Sequence, residues 1–456
     1  MIKESFRKYL EEAIGRDNAL VAFSAFEEPA SVSVRYNPFK RICVSDGEPV
    51  PWCSDGVILP ERPVFTLDPA FHAGAYYVQD SSSMFVGDVF RRLLKGCGTP
   101  EDRPFRVLDL CAAPGGKTTD LAASLRERFG NDFILVANEV MKQRAGILAG
   151  NVALWGDPNV VVTSDDPKAF ASFPGFFDII LADVPCSGEG MFRKDEEARE
   201  QWSEDNVALC EGRQRRIIAD VWSSLAEGGM LIYSTCTFNR YENDGNVRWI
   251  CNSLDASPIF GCTESPWGGI IATDLGFSLV PGFVKGEGQY CSAVRKNSMP
   301  DSKEQQRQKT RGQKDRTVPG SERLKGLFVS DVTFRQRGET IIAVPLSICQ
   351  DVLSLETSLN VLAAGCAAGS FKGKDFIPDA DLALSLILDR NVYPEADVDR
   401  ETALSYLHRD AITLTDAPKG FVLITYKGLP LGFVKNLGNR CNNLYPQSRR
   451  IRMDIK

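Results

Sequence analysis

The middle of the chain alternates between two hydrophobic spacings. From Phe105 onward, short apolar runs typical of buried strands are separated by stretches whose apolar residues recur at helical spacing. The predicted strands are 107–110, 133–137, 160–163, 179–182 and 230–233, and the predicted helices begin at Lys117 or cover 142–154 and 213–226. Such an alternation is typical of a parallel sheet wrapped by helices, so we expect an α/β fold.

Chemically distinctive residues follow the ends of these predicted strands. They are Gly115, Glu139, Asp166, Asp183 and Cys236. Because the carboxyl ends of parallel strands meet at one edge of a sheet, and ligands bind beyond that edge, the sequence predicts a single site there.

The first hundred residues show weaker patterns. Apolar positions predict a helix over 6–14, a second short helix over 19–23 and a strand over 32–36. A further helix is predicted through Phe85, Val89 and Leu93, with Asp80 and the serines 81–83 as its caps. Arg35 and Lys40 flank the predicted strand, and we interpret them as part of a solvated face.

Beyond Val294 the composition changes. Residues 297–325 are polar and are predicted to form a flexible basic linker that strengthens RNA binding. Its cations are Lys303, Arg307, Lys309, Arg311, Lys314 and Arg316. After it, residues 327–346 and 421–434 alternate like strands, and 382–388 is densely apolar, which predicts one or two small modules.

The composition of the chain limits the kinds of ligand and catalytic group that it can use. A net charge of −7 gives no overall nucleic-acid signature, so any such binding must be local. Thirteen cysteines without a Cys-x-x-Cys pair favour reduced thiols in the cytoplasm over disulfides or a zinc site, and we expect no metal. No apolar run is long enough for a membrane span. Only two histidines exist, so we expect a thiol or a carboxylate to act as nucleophile or base.

The turn from Cys111 to Gly116, between a predicted strand and a predicted helix, is typical of a ligand cradle. A phosphate-binding loop needs glycine where Cys111 stands, and a dinucleotide fingerprint needs three spaced glycines, whereas only Gly115 and Gly116 are present. The remaining common ligand is S-adenosylmethionine. The alternative is a glycine turn that only joins a strand to a helix.

Two acidic positions fit the same ligand. Glu139 lies about 20 residues beyond the turn, where a carboxylate accepts hydrogen bonds from ribose hydroxyls. Asp165 or Asp166 could receive an adenine amino group, and we prefer Asp166. The alternative for each is a helix cap.

Two thiols and a carboxyl group complete the predicted site. Asp183 and Cys186 stand in one strand-end segment, and Cys236 follows another strand. Carbon 5 of a cytosine becomes nucleophilic once a thiolate adds to carbon 6, and protonation at N3 by a carboxylic acid eases that addition. After methyl transfer a base must remove the carbon-5 proton. One thiolate, one carboxyl group and one further group fit these steps.

Three motifs carry a resemblance to a known family. The runs CAAPGGKT (111–118), DVPCSG (183–188) and STCT (234–237) resemble those of the Nol-Nop-Sun family of RNA cytosine-5 methyltransferases. Over its whole length the chain resembles the bacterial small-subunit ribosomal RNA branch of type F. One departure is Val184, where the family more often has alanine, and its extra bulk affects the geometry nearby.

The resemblance implies roles for these residues. Cys236 would be the nucleophile, Cys186 would assist product release, and Asp183 would contact both cofactor and base. In the related DNA enzymes the Pro-Cys thiol is the nucleophile, so the reverse assignment of Cys186 and Cys236 remains the alternative. The implied S-adenosylmethionine contacts are Cys111, Ala112, Ala113, Pro114, Gly115, Gly116, Lys117, Glu139, Asp166 and Asp183.

The resemblance also implies an organisation. We expect a Rossmann-like methyltransferase sheet with an N-terminal α/β extension and a small C-terminal PUA-like RNA-binding module. The expected divisions are an RNA-binding extension (1–95), the methyltransferase domain (96–296), the basic linker (297–325), a first C-terminal module (326–390) and the PUA-like domain (391–456).

RNA contacts are expected from local cations. Arg193 and Lys194, after the Pro-Cys motif, could hold phosphate beside a flipped base. The last module would supply cations and an aromatic platform from Lys435, Arg440, Tyr445, Arg449, Arg450 and Arg452. We therefore expect a monomeric enzyme that methylates cytosine in RNA, with 16S ribosomal RNA as its target. The alternatives are a transfer RNA substrate, or an RNA-binding assembly factor without chemistry.

Overall fold

The computed structural model describes residues 3–40, 46–261, 265–297 and 318–455. Within these ranges the chain forms a ten-stranded sheet and three four-stranded sheets. The ten-stranded sheet contains all the strands predicted between residues 107 and 233, so the α/β expectation is confirmed. The predicted linker cations from Lys303 to Arg316 lie outside the described residues.

The first unit contains an antiparallel sheet of order β2-β3-β1-β4. Its elements are α1 (Glu4–Ile14), α2 (Arg16–Ala25), β1 (Val32–Tyr36), β2 (Glu48–Val50), β3 (Cys53–Leu59), α3 (Pro69–His72), β4 (Tyr76–Val78) and α4 (Phe85–Lys95). The helices and the strand predicted here are confirmed. The predicted capping of α4 is wrong, because Met84 precedes the helix without a side-chain cap. Asp80 Oδ1 instead accepts from the Ser82 N–H at 3.0 Å and stabilises the turn before it.

Arg35 and Lys40 do not lie on a solvated face. Arg35 is 1% exposed, and its Nη2 donates to Gly116 O at 3.1 Å and to Thr119 Oγ1 at 2.6 Å. Lys40 is 7% exposed. These cations are buried because β1 packs against the central unit, and a buried cation requires acceptors around it. Arg35 thereby ties the first unit to the turn that begins at Cys111.

The central unit alternates strand and helix as predicted. Its elements are β5 (Phe105–Asp109), α5 (Gly116–Phe129), β6 (Phe133–Asn138), α6 (Lys142–Trp155), β7 (Val160–Thr163), β8 (Phe177–Asp183), α7 (Glu196–Gln201), α8 (Glu204–Val221), β9 (Leu225–Thr235), α9 (Asn246–Ser253), β10 (Ala256–Pro258), β11 (Ile271–Ala272), β12 (Phe277–Leu279) and β13 (Gln289–Lys296). Strands β5 to β9 are parallel, in the order β7-β6-β5-β8-β9. The remaining strands join antiparallel, so the sheet is mixed.

The helix predicted over 213–226 differs from the observed one. Helix α8 begins at Glu204, where the Ser203 side chain accepts from the Asn206 N–H, and ends at Val221. Only Val207 and Cys210 are buried in its first nine residues, which weakens the hydrophobic period there. Strand β9 already begins at Leu225.

Alternate residues of the parallel strands face two separate cores. Val107 and Leu135 belong to one buried cluster, and Leu108 and Val136 belong to the other. Helices therefore cover both faces of the sheet, which explains why its strands are nearly continuous apolar runs. The carboxyl ends of the strands remain as the edge where polar side chains gather.

A second small sheet follows residue 318. Its unit comprises a helical turn at Ser321–Leu327, then β14 (Val332–Arg337), β15 (Thr340–Pro345), α10 (Cys349–Glu356), β16 (Val361–Ala363), β17 (Cys366–Lys372), β18 (Asp375–Pro378) and α11 (Ala380–Leu384). Residues 318–325, the end of the predicted linker, pack into this unit through the buried Val318 and Leu324. Strand β16 leaves its own unit and pairs with β7, so it forms one edge of the central sheet.

The last unit consists of β19 (Glu395–Asp397), α12 (Arg400–His408), β20 (Gly420–Tyr426), β21 (Leu429–Asn436) and β22 (Cys441–Asn443). Its core is shared with the first unit, since Leu404 and Leu407 of α12 lie in one buried cluster with Ala70 of α3 and with Ala73, which follows α3. The two ends of the described chain therefore pack against each other.

Candidate active site

The turn at 111–116 brings backbone N–H groups to the carboxyl edge of the sheet. Gly115 has φ +114°, a left-handed conformation that favours glycine, and α5 begins at the next residue. A Cβ atom on Gly115 would lie 3.1 Å from the Leu148 side chain. The turn is also held from α6, where Asn151 Nδ2 donates to Pro114 O at 2.8 Å. The first turn of α5 therefore presents N–H groups at a fixed position.

Asp109 ends β5 directly beneath this turn. It is fully buried, and its Oδ2 accepts from Thr118 Oγ1 at 2.7 Å, whereas Oδ1 has no hydrogen-bond partner. Burial raises the pKa of Asp109 to about 7. An orphaned buried carboxyl oxygen is costly, so this edge of the turn is prepared for a donor from outside the chain.

The acidic residues predicted for the same ligand lie along the next two strand ends. Glu139 follows β6, is 4% exposed, and lies 3.2 Å from the Arg144 guanidinium. Asp165 Oδ2 accepts from the Asn360 N–H at 2.9 Å, so this carboxylate is engaged by the loop before β16. Asp166 is exposed and caps the following helical turn through the Lys168 N–H at 3.0 Å. Asp165 thus has a structural partner from another unit.

Asp183 ends β8 and contacts Lys117, the residue that follows the turn at 111–116. Lys117 Nζ lies 2.8 Å from Asp183 Oδ2, and Ser234 Oγ donates to Asp183 Oδ1 at 2.6 Å. Burial lowers the pKa of Lys117, but the opposite charge of Asp183 outweighs it and the net shift is upward. The ammonium group therefore keeps its proton beside the carboxylate, and both Asp183 oxygens have fixed directions.

The two predicted catalytic thiols face each other. Cys186 Sγ lies 3.1 Å from Cys236 Sγ, and each side chain is partly exposed. The hydrogen bond to Cys236, followed by burial, raises the pKa of Cys186 well above its usual value. Either sulfur can be the donor in this contact, and the raised pKa favours the thiol form of Cys186.

Two loops carry these thiols. We call residues 184–191 the Pro-Cys loop and residues 236–240 the Thr-Cys loop. The loops start from adjacent parallel strands, since Asp183 is paired with Ser234 in the β8–β9 register. Strand order thus brings together two motifs that lie about fifty residues apart in sequence.

The proposed phosphate contact of Arg193 is wrong. Its side chain is 6% exposed and pairs with Glu287 at 3.0 Å, because the loop before β13 folds over it. Lys194 pairs with Asp80 at 3.0 Å and is one-third exposed. Both cations tie the segment just after the Pro-Cys loop to neighbouring parts of the chain.

The aromatic platform predicted at Tyr445 is also wrong. Tyr445 is 1% exposed and packs against Tyr406 with 5.5 Å between ring centroids, so no base can stack on it. Arg449 pairs with Asp381, and Lys435 lies 3.6 Å from Asp375. A sequence pattern of cations and one aromatic residue does not show whether the aromatic ring is exposed. In the last unit the ring of Tyr445 is part of the hydrophobic core.

Three side chains beneath the two loops were not predicted from the sequence. Glu189 and Glu242 are fully buried, and Gln289 of β13 donates to Thr235 O at 2.9 Å. The two glutamates stand two residues after Ser187 and three residues after Asn239, within segments that the motifs already mark. Acidic residues in such loops usually indicate solvent exposure, so only the fold reveals their burial.

Neither a metal site nor a membrane-spanning helix is found in the described part of the chain. Outside 1–2, 41–45, 262–264, 298–317 and 456, no group of three or more His, Cys, Asp or Glu side chains is arranged to hold a metal ion. In the same part of the chain, no helix has the length and apolar character needed to cross a membrane.

Three family models match this chain. They are the N-terminal domain of 16S rRNA methyltransferase RsmF over residues 2–81, 16S rRNA methyltransferase RsmB/F over 99–333, and the methyltransferase RsmF PUA domain over 393–451. The predicted PUA-like C-terminal module is thereby confirmed.

Curated relatives extend along nearly the whole chain. Ribosomal RNA small subunit methyltransferase F of Enterobacter sp. (strain 638) is 29% identical over 97% of this chain and 95% of its own length. The protein of the same description from Salmonella typhi is 30% identical with the same coverage.

Solved structures share the fold of the central part. A methyltransferase homolog protein from Pyrococcus horikoshii matches 64% of this chain and 95% of its own, with 25% identity and a TM-score of 0.52. NSun6 from Pyrococcus horikoshii with SFG matches 65% of this chain and 99% of its own, with 19% identity and a TM-score of 0.53. The expected Rossmann-like methyltransferase sheet is therefore confirmed.

Proposed function

Because the chain belongs to the 16S rRNA methyltransferase RsmB/F family, we propose that it transfers a methyl group from S-adenosylmethionine to carbon 5 of a cytosine in 16S ribosomal RNA. The curated relatives are described as ribosomal RNA small subunit methyltransferases, which supports the RNA class. The proposal that carbon 5 is the methylated atom rests on the residues of the candidate site.

The observation that carries the proposal is the meeting of two thiols and one carboxyl group at one sheet edge. Cys186 and Cys236 lie 3.1 Å apart, and Asp183 is held by Lys117 at 2.8 Å. Addition to a pyrimidine needs a thiolate, proton transfer at N3 needs an acid near it, and expulsion needs a partner for the leaving sulfur. The three groups match these needs.

The residues around the turn at 111–116 fit S-adenosylmethionine. The orphaned Oδ1 of Asp109 and the N–H groups at the start of α5 suit a small zwitterion, and Glu139 suits ribose hydroxyls. We assign the contacts to residues 111–117 together with Glu139, Asp166 and Asp183. When bound, this group supplies an electrophilic methyl carbon on a sulfonium. SFG, an analogue of it, is present in the NSun6 structure.

Cys236 is the proposed nucleophile. Its sulfur forms a bond to carbon 6 of the cytosine, the C5–C6 double bond shifts to C4–C5, and N3 takes a proton from the protonated carboxyl group of Asp183. Lys117, at 2.8 Å, stabilises the carboxylate that Asp183 becomes, and N3 returns the proton to it when the product is released. Cys186, whose pKa is raised by its hydrogen bond to Cys236, keeps its S–H and stabilises the Cys236 thiolate before the attack.

Release reverses the sulfur–carbon bond. When the carbon-5 proton leaves to a base, its electrons restore the C5–C6 double bond and expel the Cys236 sulfur. Cys186 then donates to the departing thiolate and lowers the barrier to expulsion. The same hydrogen bond therefore serves the nucleophile and the leaving group.

The test is to trap the covalent species. Cys186→Ala should accumulate a protein–RNA adduct that survives denaturing electrophoresis, because the leaving thiolate lacks its donor. Cys236→Ala should form no adduct and no product. Trapping by Cys236→Ala alone would reverse the two roles.

Incubation with labelled S-adenosylmethionine separates the enzyme from an assembly factor. We expect label in the 16S RNA of small ribosomal subunits or of free RNA, at cytosines that become resistant to bisulfite. Cofactor binding without any label in either RNA would favour an RNA-binding protein without chemistry.

A further inference from the structure

A cluster of fully buried polar side chains lies beneath the two cysteine loops. Glu189 comes from the Pro-Cys loop, Asn239 from the Thr-Cys loop, and Glu242 from the turn that follows it. Each is at most 1% exposed. Two carboxyl groups so close together in a protein interior are costly unless their hydrogen bonds are complete.

Glu189 connects its own loop to the backbone of the other. Its Oε2 accepts from the Phe238 N–H at 2.8 Å and from the Asn239 N–H at 3.0 Å. Its Oε1 accepts from Trp202 Nε1 at 2.9 Å and from Asn239 Nδ2 at 3.0 Å. Four N–H groups therefore bind one carboxylate, and two of them belong to the backbone just after Cys236.

Glu242 makes the reciprocal connection. Its Oε2 accepts from the backbone N–H of Ser187, the residue after Cys186, at 3.0 Å and from Gln214 Nε2 at 2.7 Å. Its Oε1 accepts from Asn239 Nδ2 at 2.7 Å. The Asn239 amide thus lies between the two glutamates and bonds to both.

Shorter bonds join the loops next to the sulfurs. The Gly190 N–H donates to Cys236 O at 2.8 Å, and Ser187 Oγ lies 2.9 Å from Thr237 Oγ1. The residue that follows each thiol is therefore hydrogen-bonded to its counterpart. These crossed contacts hold together the two backbone segments that carry Cys186 and Cys236.

The surroundings of this cluster destabilise the ionised form of Glu242. Burial and, second, the charge of Glu189 raise the pKa of Glu242 to about 7. A carboxyl group at this cost adds less to stability than a well-packed apolar side chain would. The effect of Glu242 on the geometry of the two loops, rather than on stability, therefore explains its presence at this position.

We propose that Glu189 and Glu242, joined through the Asn239 amide, are positioning residues that hold the Pro-Cys and Thr-Cys loops in register, so that the two sulfurs stay within hydrogen-bond distance. The proposal rests on the proposed function for its catalytic consequence. The statement that these residues fix the positions of the two loops does not depend on that function.

Glu242→Gln tests the proposal with little change in volume. Glutamine has one acceptor oxygen, so its NH₂ group must face at least one N–H donor of Ser187, Gln214 or Asn239. We expect kcat to fall at least ~10-fold, with KM for RNA and for S-adenosylmethionine within ~3-fold, which corresponds to more than ~1.4 kcal/mol in the transition state. Asn239→Ala, which removes the bridge, should behave alike. Glu211→Gln on α8 is the matched control, because its carboxylate accepts from Arg215 and from none of the donors that bind Glu189 or Glu242.

A second measurement needs neither RNA nor cofactor. Diamide, which takes two hydrogens from a pair of thiols, should join Cys186 to Cys236 quickly in the wild type, as detected by mass spectrometry of the linked peptides. We expect the two variants to form this bond at least ~10-fold more slowly and the Glu211→Gln control to form it normally. A wild type that crosslinks but does not methylate RNA would reject the proposed function and leave the positioning role standing.

Three outcomes would overturn the positioning role. One is unchanged crosslinking in Glu242→Gln and Asn239→Ala. Another is a loss confined to KM. The third is global unfolding of both variants, which would assign the cluster to stability alone.

Discussion

The two thiols of the proposed mechanism share one contact between their sulfurs. Cys186 Sγ lies 3.1 Å from Cys236 Sγ, and this contact is the first cause of the raised pKa of Cys186. A raised pKa favours the thiol form of Cys186, which suits the proposed role of donor to a leaving sulfur. The distance itself is symmetric, so the adduct experiment distinguishes the proposed assignment from the reverse one.

At the same scale, two adjacent carboxylates should respond differently to removal. Asp166→Ala should weaken S-adenosylmethionine binding about 10-fold, because a hydrogen bond to a charged group is worth roughly 1.5 kcal/mol. Asp165→Ala should leave the affinity within about 2-fold and lower stability by about 1 kcal/mol, since its carboxylate accepts from the Asn360 N–H. Titration calorimetry measures the affinity, and denaturant unfolding measures the stability.

The opposite result is informative as well. If Asp165→Ala weakens cofactor binding and Asp166→Ala does not, the contact belongs to Asp165. Asp166→Ala will also lose the cap on the Lys168 N–H, so the comparison depends on affinity rather than on stability.

Single residues also mark the limit of what sequence patterns can predict. Cys236 and Asp183 follow apolar runs that predict their strands, so their meeting at one edge was predictable. The burial of Glu242 was not, because the N–H donors to its carboxylate come from residues up to 55 positions away. The burial of Arg35 was not predictable for the same reason, since its hydrogen-bond partner Thr119 lies 84 positions away.

At the scale of elements, Lys40 joins two helix ends. Its Nζ donates to Ala73 O beside α3 at 3.0 Å and to Leu154 O in α6 at 2.8 Å. Burial lowers the pKa of Lys40 to about 7. The bonds to both carbonyls require a donor at this position, whether the amine is charged or neutral.

This buried lysine predicts a pH dependence of stability. Between pH 7 and about 10.4 the unfolded chain binds a proton at Lys40 that the folded chain lacks, so the free energy of unfolding rises with pH in this window. Lys40→Met removes that slope. The stability difference between wild type and Lys40→Met should therefore widen by on the order of 1 kcal/mol per pH unit from pH 7 to 9.

Denaturant unfolding of both proteins at several pH values measures this difference, and titration of other groups cancels in the comparison. A gap that stays constant would mean that Lys40 titrates alike in both states. At any pH, Lys40→Met should also lose about 1–3 kcal/mol from the two carbonyls left without a donor.

The elements themselves were predicted best where the hydrophobic period is strong. Strands β6 and β7 match their predicted ranges within a residue, because four or more consecutive residues are buried. The start of α8 was missed because its first turns face solvent. Strand β16 was not predictable at all, since three half-buried residues become a strand only beside β7.

At the scale of the whole molecule, the four units form a closed arrangement. The first unit packs on the central one through Arg35, β16 joins the third unit to the central sheet, and the last unit shares a core with the first. The Arg106–Asp351 pair, at 2.6 Å, adds a second connection between the central and third units. Changes in the last unit should therefore affect the first.

Leu407→Ala tests this connection. Leu407 is fully buried in the cluster that α12 shares with α3, so its truncation should cost about 2–5 kcal/mol. Hydrogen exchange should accelerate in residues 69–76 of the first unit as well as in α12. Leu209→Ala, at a side chain that is 60% exposed on α8, is the matched control and should change neither. Acceleration confined to α12 would show that the two ends fold independently.

The shared core of α3 and α12 has a consequence for biosynthesis. A ribosome makes the first unit several hundred residues before it makes the last, and domains generally fold in that order. The apolar side of α3 therefore stays without its cover until α12 has been synthesised. Emergence of the last unit, rather than of the first, is the step that completes the core of the first unit.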